Sequence, residues 1–223
     1  MNTDMIVNVL DISPKLISIG LNNSLDSMEE IFRRRQKNSL LNFDYGSHLK
    51  LRRCGWGKDI VYCDPDVARA YESSFRDKVR YTVNLCPLVK ELIMHVHQNC
   101  EYNALRFLKQ LTLLRIHFLN CKGDSVPDFV ALLQGIEPQL KHLSVIGFQH
   151  RYPVYAICDC CPQSQSLEID GFTFLKNSSE ASSNLPLKRL KLWSHPPFNI
   201  ESILFLFSNC KYLEELFFKH PIF

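Results

Sequence analysis

Leu187-Lys188-Arg189-Leu190-Lys191-Leu192 is the stretch that decides how this chain folds. Leu190 and Leu192 are two residues apart, so on a strand both point to one face, while Leu187 turns in from the preceding loop. Such a strand buries its apolar face only when a helix covers it and a similar strand lies beside it. The pattern must therefore recur.

It recurs along most of the chain as Leu16/Ile19/Leu21, Leu40/Phe43/Tyr45, Val89/Leu92/Met94, Leu111/Leu114/Ile116, Leu140/Leu143/Val145, Ser164/Leu167/Ile169, Leu187/Leu190/Leu192 and Leu213/Leu216/Phe218. Successive first positions lie 24, 49, 22, 29, 24, 23 and 26 residues apart. All but one fall in the range of roughly 20 to 29 residues typical of leucine-rich repeats, and the exception is near twice it. Chance spacing is the competing reading, because 46% of the residues are hydrophobic. Eight near-regular recurrences outweigh it. The expected fold class is therefore α/β: a right-handed leucine-rich-repeat solenoid with parallel strands on a concave face and helices on the convex face. It would form a single domain over residues 1–223 with about eight or nine units.

Length and composition narrow the remaining choices. The 223 residues suffice for one large core, and a formal charge of +3 is too mild to argue for nucleic acid. Nine cysteines, an odd number scattered through apolar segments, point to reduced thiols rather than a disulfide framework. Met1-Asn2-Thr3-Asp4-Met5 has no basic start followed by an apolar run, and no stretch approaches 18 uncharged apolar residues. A cytoplasmic or nuclear protein without membrane association is expected.

Along the chain, a strand through Leu16 to Leu21 should be followed by a helix capped near Asn23-Ser24, covering Met28, Ile31 and Phe32 and ending in Arg33-Arg34-Arg35. The register breaks near 46–64. His48–Cys54 and Asp59–Cys63 read as a β-hairpin insertion around Gly55-Trp56-Gly57-Lys58. Alternatively Leu49 and Leu51 belong to a repeat strand and the Leu40 hexad is fortuitous. Asp64-Pro65-Asp66 starts a helix whose apolar face is Val67, Tyr71, Phe75 and Val79, leaving Lys78 and its charged neighbours to water. Later helices are expected over Tyr102–Leu108, Pro127–Leu133, Tyr155–Cys161 and Ile200–Phe207.

Three units begin alike, at Cys86-Pro87-Leu88-Val89, Cys161-Pro162-Gln163-Ser164 and Cys210-Lys211-Tyr212-Leu213. A cysteine at a helix end before the hexad resembles the cysteine-containing leucine-rich repeats of the F-box/LRR, ribonuclease-inhibitor-like type. The resemblance covers roughly residues 86 to 223. It implies small buried cysteines closing each helix against the next strand. It also implies target-recognition repeats of a ubiquitin ligase receptor, whose separate F-box would dock on a cullin-ligase adaptor. No stretch here reads as an F-box, and the terminal strand over Leu216–Phe223 has no helix after it, which reads as a fragment of a longer protein or a last strand covered by something else.

Cys158, Cys160 and Cys161, with His150 or Cys121, are the candidates for zinc or redox chemistry. C-x-C-C lacks the usual ligand spacing, so burial is the favoured reading. With no glycine-rich phosphate loop, G-x-S-x-G or H-E-x-x-H, neither an enzyme nor a bound cofactor is expected. The binding hypothesis is positional. Residues between and just after the inward apolar pairs should line the concave face, where another protein would dock: His95, Arg115, His117, Glu168, Asp170, Lys191, Trp193, Phe217 and Lys219. Trp193, Phe217 and Arg115 are of the types that anchor interfaces.

Overall fold

A computed structural model of the chain describes residues 3–19, 24–39, 48–55, 78–96, 102–118, 126–136, 139–146, 152–170, 172–173, 185–193 and 200–219. The chain gathers into two compact units, Met1–Met94 with Asn99–Leu111, and His95–Gln98 with Thr112–Phe223. The architecture is α/β, and every strand pairing among the described residues is parallel. No helix among them is long and apolar enough to cross a membrane.

The first unit opens with α1 (Thr3–Ile12) and α2 (Ser24–Ser39). Ile6, Val7 and Leu10 of α1 and Leu25, Met28 and Ile31 of α2 recur at helical spacing and are buried. The helix expected after Ser24 therefore forms, but it does not stop at the arginine triplet. Arg33 pairs with Glu29 at 2.6 Å and Arg34 with Glu30 at 2.9 Å, one turn back, so both cations support a helix that continues to Ser39. Arg34 also reaches Asn8 (3.1 Å) and Asp11 (3.5 Å) on α1.

The strand required by the first hexad does not form over Leu16 to Ile19: residues 13–19 are turn and irregular chain. The turn at Ser13-Pro14 sets this local geometry, with the Leu16 N–H returning to the Ser13 carbonyl at 3.0 Å, and Ile17 is left exposed. The segment still lies beside the next one. The carbonyls of Pro14 and Ile17 accept the N–H groups of Lys50 (3.3 Å) and Arg52 (2.9 Å).

β1 (Arg53–Gly55) pairs with β2 (Glu91–Val96), Cys54 lying opposite Leu92. Leu51 and Cys54, three apart and both buried, thus stand where Val89 and Leu92 stand one unit later. The alternative that put Leu51 in a repeat is the one this pairing favours, with Cys54 as its second apolar position. The Leu40 hexad, Asp59–Cys63 and the start at Asp64-Pro65-Asp66 lie outside the described residues. Ser24 ties α2 to β1: its Oγ accepts the Gly55 N–H at 2.8 Å and donates to the Gly55 carbonyl at 3.0 Å.

Helix α3 is described over 78–85. Val79 and Val83 are buried as their spacing implies, but Lys78 does not face water. It is 7% exposed, and its Nζ lies 2.7 Å from the Asp26 carboxylate in the first turn of α2. An ammonium goes inside when a carboxylate is waiting there, and reading α3 alone cannot reveal the partner. The helix closes through Cys86 N–H to the Thr82 carbonyl, and Val89 N–H to the Cys86 carbonyl turns the chain into β2. A 3-10 helix, Tyr102–Phe107, then occupies the position where an ordinary helix was expected.

The second unit runs β3 (Leu113–Phe118), α4 (Val126–Ile136), β4 (His142–Ile146), β5 (Tyr152–Pro153), α5 (Val154–Cys160), β6 (Ser166–Asp170), β7 (Phe172–Thr173), β8 (Arg189–Trp193), α6 (Ile200–Asn209) and β9 (Glu215–Lys219). Five strands lie side by side as β3-β4-β6-β8-β9, and β5 pairs separately with β7. The register follows the hexads, aligning Leu114, Leu143, Leu167, Leu190 and Leu216 across the strands. Of these, the first four are buried.

Strands β4, β6, β8 and β9 begin on the same hydrogen-bond device. The Thr112 carbonyl accepts the N–H groups of Lys141 and His142, Lys141 those of Gln165 and Ser166, Gln165 those of Lys188 and Arg189, and Lys188 those of Glu214 and Glu215. Steps between these carbonyls are 29, 24 and 23 residues, the intervals read from the hexads. Phe129, Leu132, Leu133 and Ile136 give α4 one buried face, and Phe129 meets Phe118 of β3 edge-on at 5.7 Å. Each buried leucine, isoleucine or phenylalanine in this layer stabilises the fold by about 1.5 to 3 kcal/mol. Ser164, the polar residue at a leucine position, is buried because its Oγ lies 3.2 Å from the Ser166 carbonyl and 3.5 Å from that of Lys141.

Candidate functional site

Alternation along each strand sends every second side chain away from the helix-covered layer. In the second unit the pairing assembles these into rows: Arg115, Ser144, Glu168, Lys191 and Phe217 stand side by side on β3, β4, β6, β8 and β9. A second row contains His117 beside Ile146, and Asp170 beside Trp193 beside Lys219. Seven of the nine residues expected to line a binding face thus share one surface of the second unit, and Lys219 stands on β9 in register with Trp193. His95 is placed on β2.

The centre of that surface is Glu168. It is 8% exposed, although its expected place on the concave face implies a side chain open to a partner. Its Oε2 accepts from Ser144 Oγ at 2.8 Å and from the Arg115 guanidinium at 3.1 Å, and its Oε1 accepts from the Trp193 indole N–H at 3.3 Å. Strands lie about 4.8 Å apart, so an arginine two strands away can cross above a serine to reach a carboxylate. The small side chain of Ser144 leaves that path open. Ser144 lies between Leu143 and Val145 of its hexad, so the regular intervals by themselves place it as the middle member of this row.

Charge-assisted bonds of this kind fix a carboxylate and hold its donors in one geometry. Trp193, expected as an interface anchor, is half-buried and carries a polar tie. The more open part of the face lies on β8 and β9, where Lys191 sits over the Phe217 ring at 5.5 Å and Phe217 is 54% exposed. Replacing Glu168 with alanine leaves a guanidinium, a hydroxyl and an indole N–H without their acceptor. We expect a loss of about 1 to 3 kcal/mol in urea unfolding with a red-shifted tryptophan emission, whereas Glu168→Gln, which retains acceptor oxygen, loses less. A Glu168→Ala chain as stable as the parent would show that these bonds do not hold the face together.

Cys158, Cys160 and Cys161 are all buried. Burial first, and then the neighbouring Cys210, Cys161 and Asp159, hold the Cys158 thiol well above its ordinary pKa, and burial pushes Cys210 up to about 11. The thiolate is the form that attacks or binds metal, so these settings favour packing. Among the described residues no group of three or more His, Cys, Asp or Glu side chains is placed to hold a metal ion, and His150 and Cys121 lie outside them. Cys86, Cys161 and Cys210, which begin the three similar units, are buried. The Cys86 thiol lies 3.5 Å from Met28 Sδ, and its hydrogen bond with Cys54, together with burial, raises its pKa.

The fold and this surface define an α/β protein of parallel strands with an organised polar face. No protein-family model matches the chain, and no curated protein matches it.

Proposed function

We propose that this chain is a leucine-rich-repeat solenoid that binds another protein on its concave face, without enzymatic activity. The observation that carries the reading is the strand register, which delivers side chains from five successive strands to one continuous surface. Regular spacing of the strand-starting carbonyls supports the repeat architecture. The rigid Glu168 cluster would set the face's geometry, while Lys191 and Phe217 offer a cation and a ring at positions a partner can reach.

A photo-crosslinking residue placed at Lys191 should capture a discrete protein species in an extract of the source cells, and the same residue at Gln134 on α4 should not. Equal capture at both positions, or capture at Gln134 alone, would count against a binding face on the sheet.

The finer reading is the target-recognition half of an F-box-type ubiquitin ligase receptor. It rests on the resemblance of the units that begin at Cys86, Cys161 and Cys210, whose cysteines are buried as that type of repeat requires. Affinity purification of the full-length gene product should then recover the cullin-ligase adaptor. Recovery of a partner without the adaptor would instead favour a scaffold or inhibitor unrelated to ubiquitin.

A further inference from the structure

We propose that the sulfurs of Met28, Cys54 and Cys86 form a binding site for a soft monovalent metal ion, Cu(I). The site lies in the first unit and is independent of partner binding on the concave face. Three elements converge there: Met28 comes from α2, Cys54 from β1, and Cys86 from the residue that closes α3. All three residues are 0% exposed. The Cys86 thiol lies 3.5 Å from Met28 Sδ and is hydrogen-bonded to Cys54. Metal–thiolate bonds of about 2.3 Å hold three sulfurs in a trigonal plane roughly 4 Å apart, so Cys86 and Met28 need to part by only about 0.5 Å to admit an ion.

The donor set selects the ion. Thiolates and thioethers are soft ligands and favour Cu(I). Zn(II) asks for four ligands, and among the described residues no His, Asp or Glu joins these two cysteines in a metal-binding group. The charge is compensated as well. Cu(I) displaces the proton of each thiol to water, leaving two thiolates around one cation and a single net negative charge. Arg35, seven residues on from Met28 and so on the same face of α2, places a guanidinium near Cys86. The Cys54 hydrogen bond, burial and the Cys54 charge hold the Cys86 thiol well above its ordinary pKa, and the Arg35 charge alone opposes them. Without metal the Cys86 thiol therefore keeps its proton, whereas coordination removes it outright. Arg35 then offsets the charge left behind. Packing alone explains a buried cysteine at a helix end; it does not require a thioether, a second thiol and a guanidinium to gather around it.

Cu(I), added anaerobically as its acetonitrile complex to the fully reduced 223-residue chain in competition with bathocuproine disulfonate, should fill one tight equivalent. Burial makes entry depend on local opening of the core, so binding is read after equilibration. Cys54→Ala and Cys86→Ala should each weaken that equivalent at least about a hundredfold by removing a thiolate. Met28→Leu conserves volume and should leave a chain that is folded by circular dichroism but binds about tenfold more weakly. Arg35→Gln, which removes only the compensating charge, should also weaken binding about tenfold. Cys161→Ala and Cys210→Ala should leave it within about twofold of the parent. X-ray absorption of the loaded chain should find three sulfur neighbours, and two in Met28→Leu, a comparison that stands even where a cysteine variant fails to fold. Absence of a tight equivalent, or one that survives Cys54→Ala or Cys86→Ala in a folded chain, overturns the proposal. So does insensitivity to Met28→Leu or Arg35→Gln, or Zn(II) held as tightly as Cu(I).

Discussion

Leu190→Ala should destabilise the second unit by about 2 to 5 kcal/mol, whereas Leu216→Ala, the same substitution one strand along in the same register, should cost less than about 1 kcal/mol. Leu190 is 0% exposed and sits between β6 and β9 on the helix-covered side of β8, so truncation removes apolar contact and leaves a cavity that neighbouring strands cannot readily close. Leu216 points to the same side but is 46% exposed, and water already occupies much of its surroundings. Urea unfolding followed by tryptophan emission reads the difference directly. Equal costs at the two positions would mean that the inward layer does not thin out toward β9.

The second large effect lies in the first unit. Asp26→Ala is expected to cost about 3 kcal/mol, near the lower end for a broken buried pair because the Asp26 side chain keeps 21% of its exposure. The loss comes from the Lys78 ammonium, whose side chain is 9% exposed and would remain inside without the carboxylate. Adding Lys78→Met to Asp26→Ala should recover much of that cost, since a methionine fills the same space without a charge. Arg33→Ala, which removes the surface pair with Glu29, should change stability by no more than about 0.5 kcal/mol. A double variant less stable than Asp26→Ala would show that the lysine contributes through something other than its pairing.

Much of the second unit is legible in the amino-acid sequence because a two-residue alternation and a near-constant interval are enough to place a strand, its inward face and its neighbour. Leu114, Leu143, Leu167 and Leu190 follow from those two numbers. The first hexad fails because an apolar i, i+3, i+5 pattern does not report the turn at Ser13-Pro14, which sets the chain direction before a ladder can form. Lys78 and Glu168 escape the sequence for a different reason. Whether a charged side chain is buried depends on a partner far away in sequence, Asp26 for the one and Arg115 and Trp193 for the other, and spacing within a single element contains no trace of it. The arginine triplet reads as a helix end only while Glu29 and Glu30, one turn earlier, are overlooked; they are the visible sign that the helix continues.

The shared carbonyls at Thr112, Lys141, Gln165 and Lys188 also bear on how such a chain can change length. β4, β6, β8 and β9 each borrow their starting point from a backbone oxygen, which every amino acid supplies, rather than from a particular side chain. A duplicated segment of this size would bring its own oxygen and accept the next strand on identical terms, so tandem copying of gene fragments could extend or shorten the array while leaving the older strands unaltered.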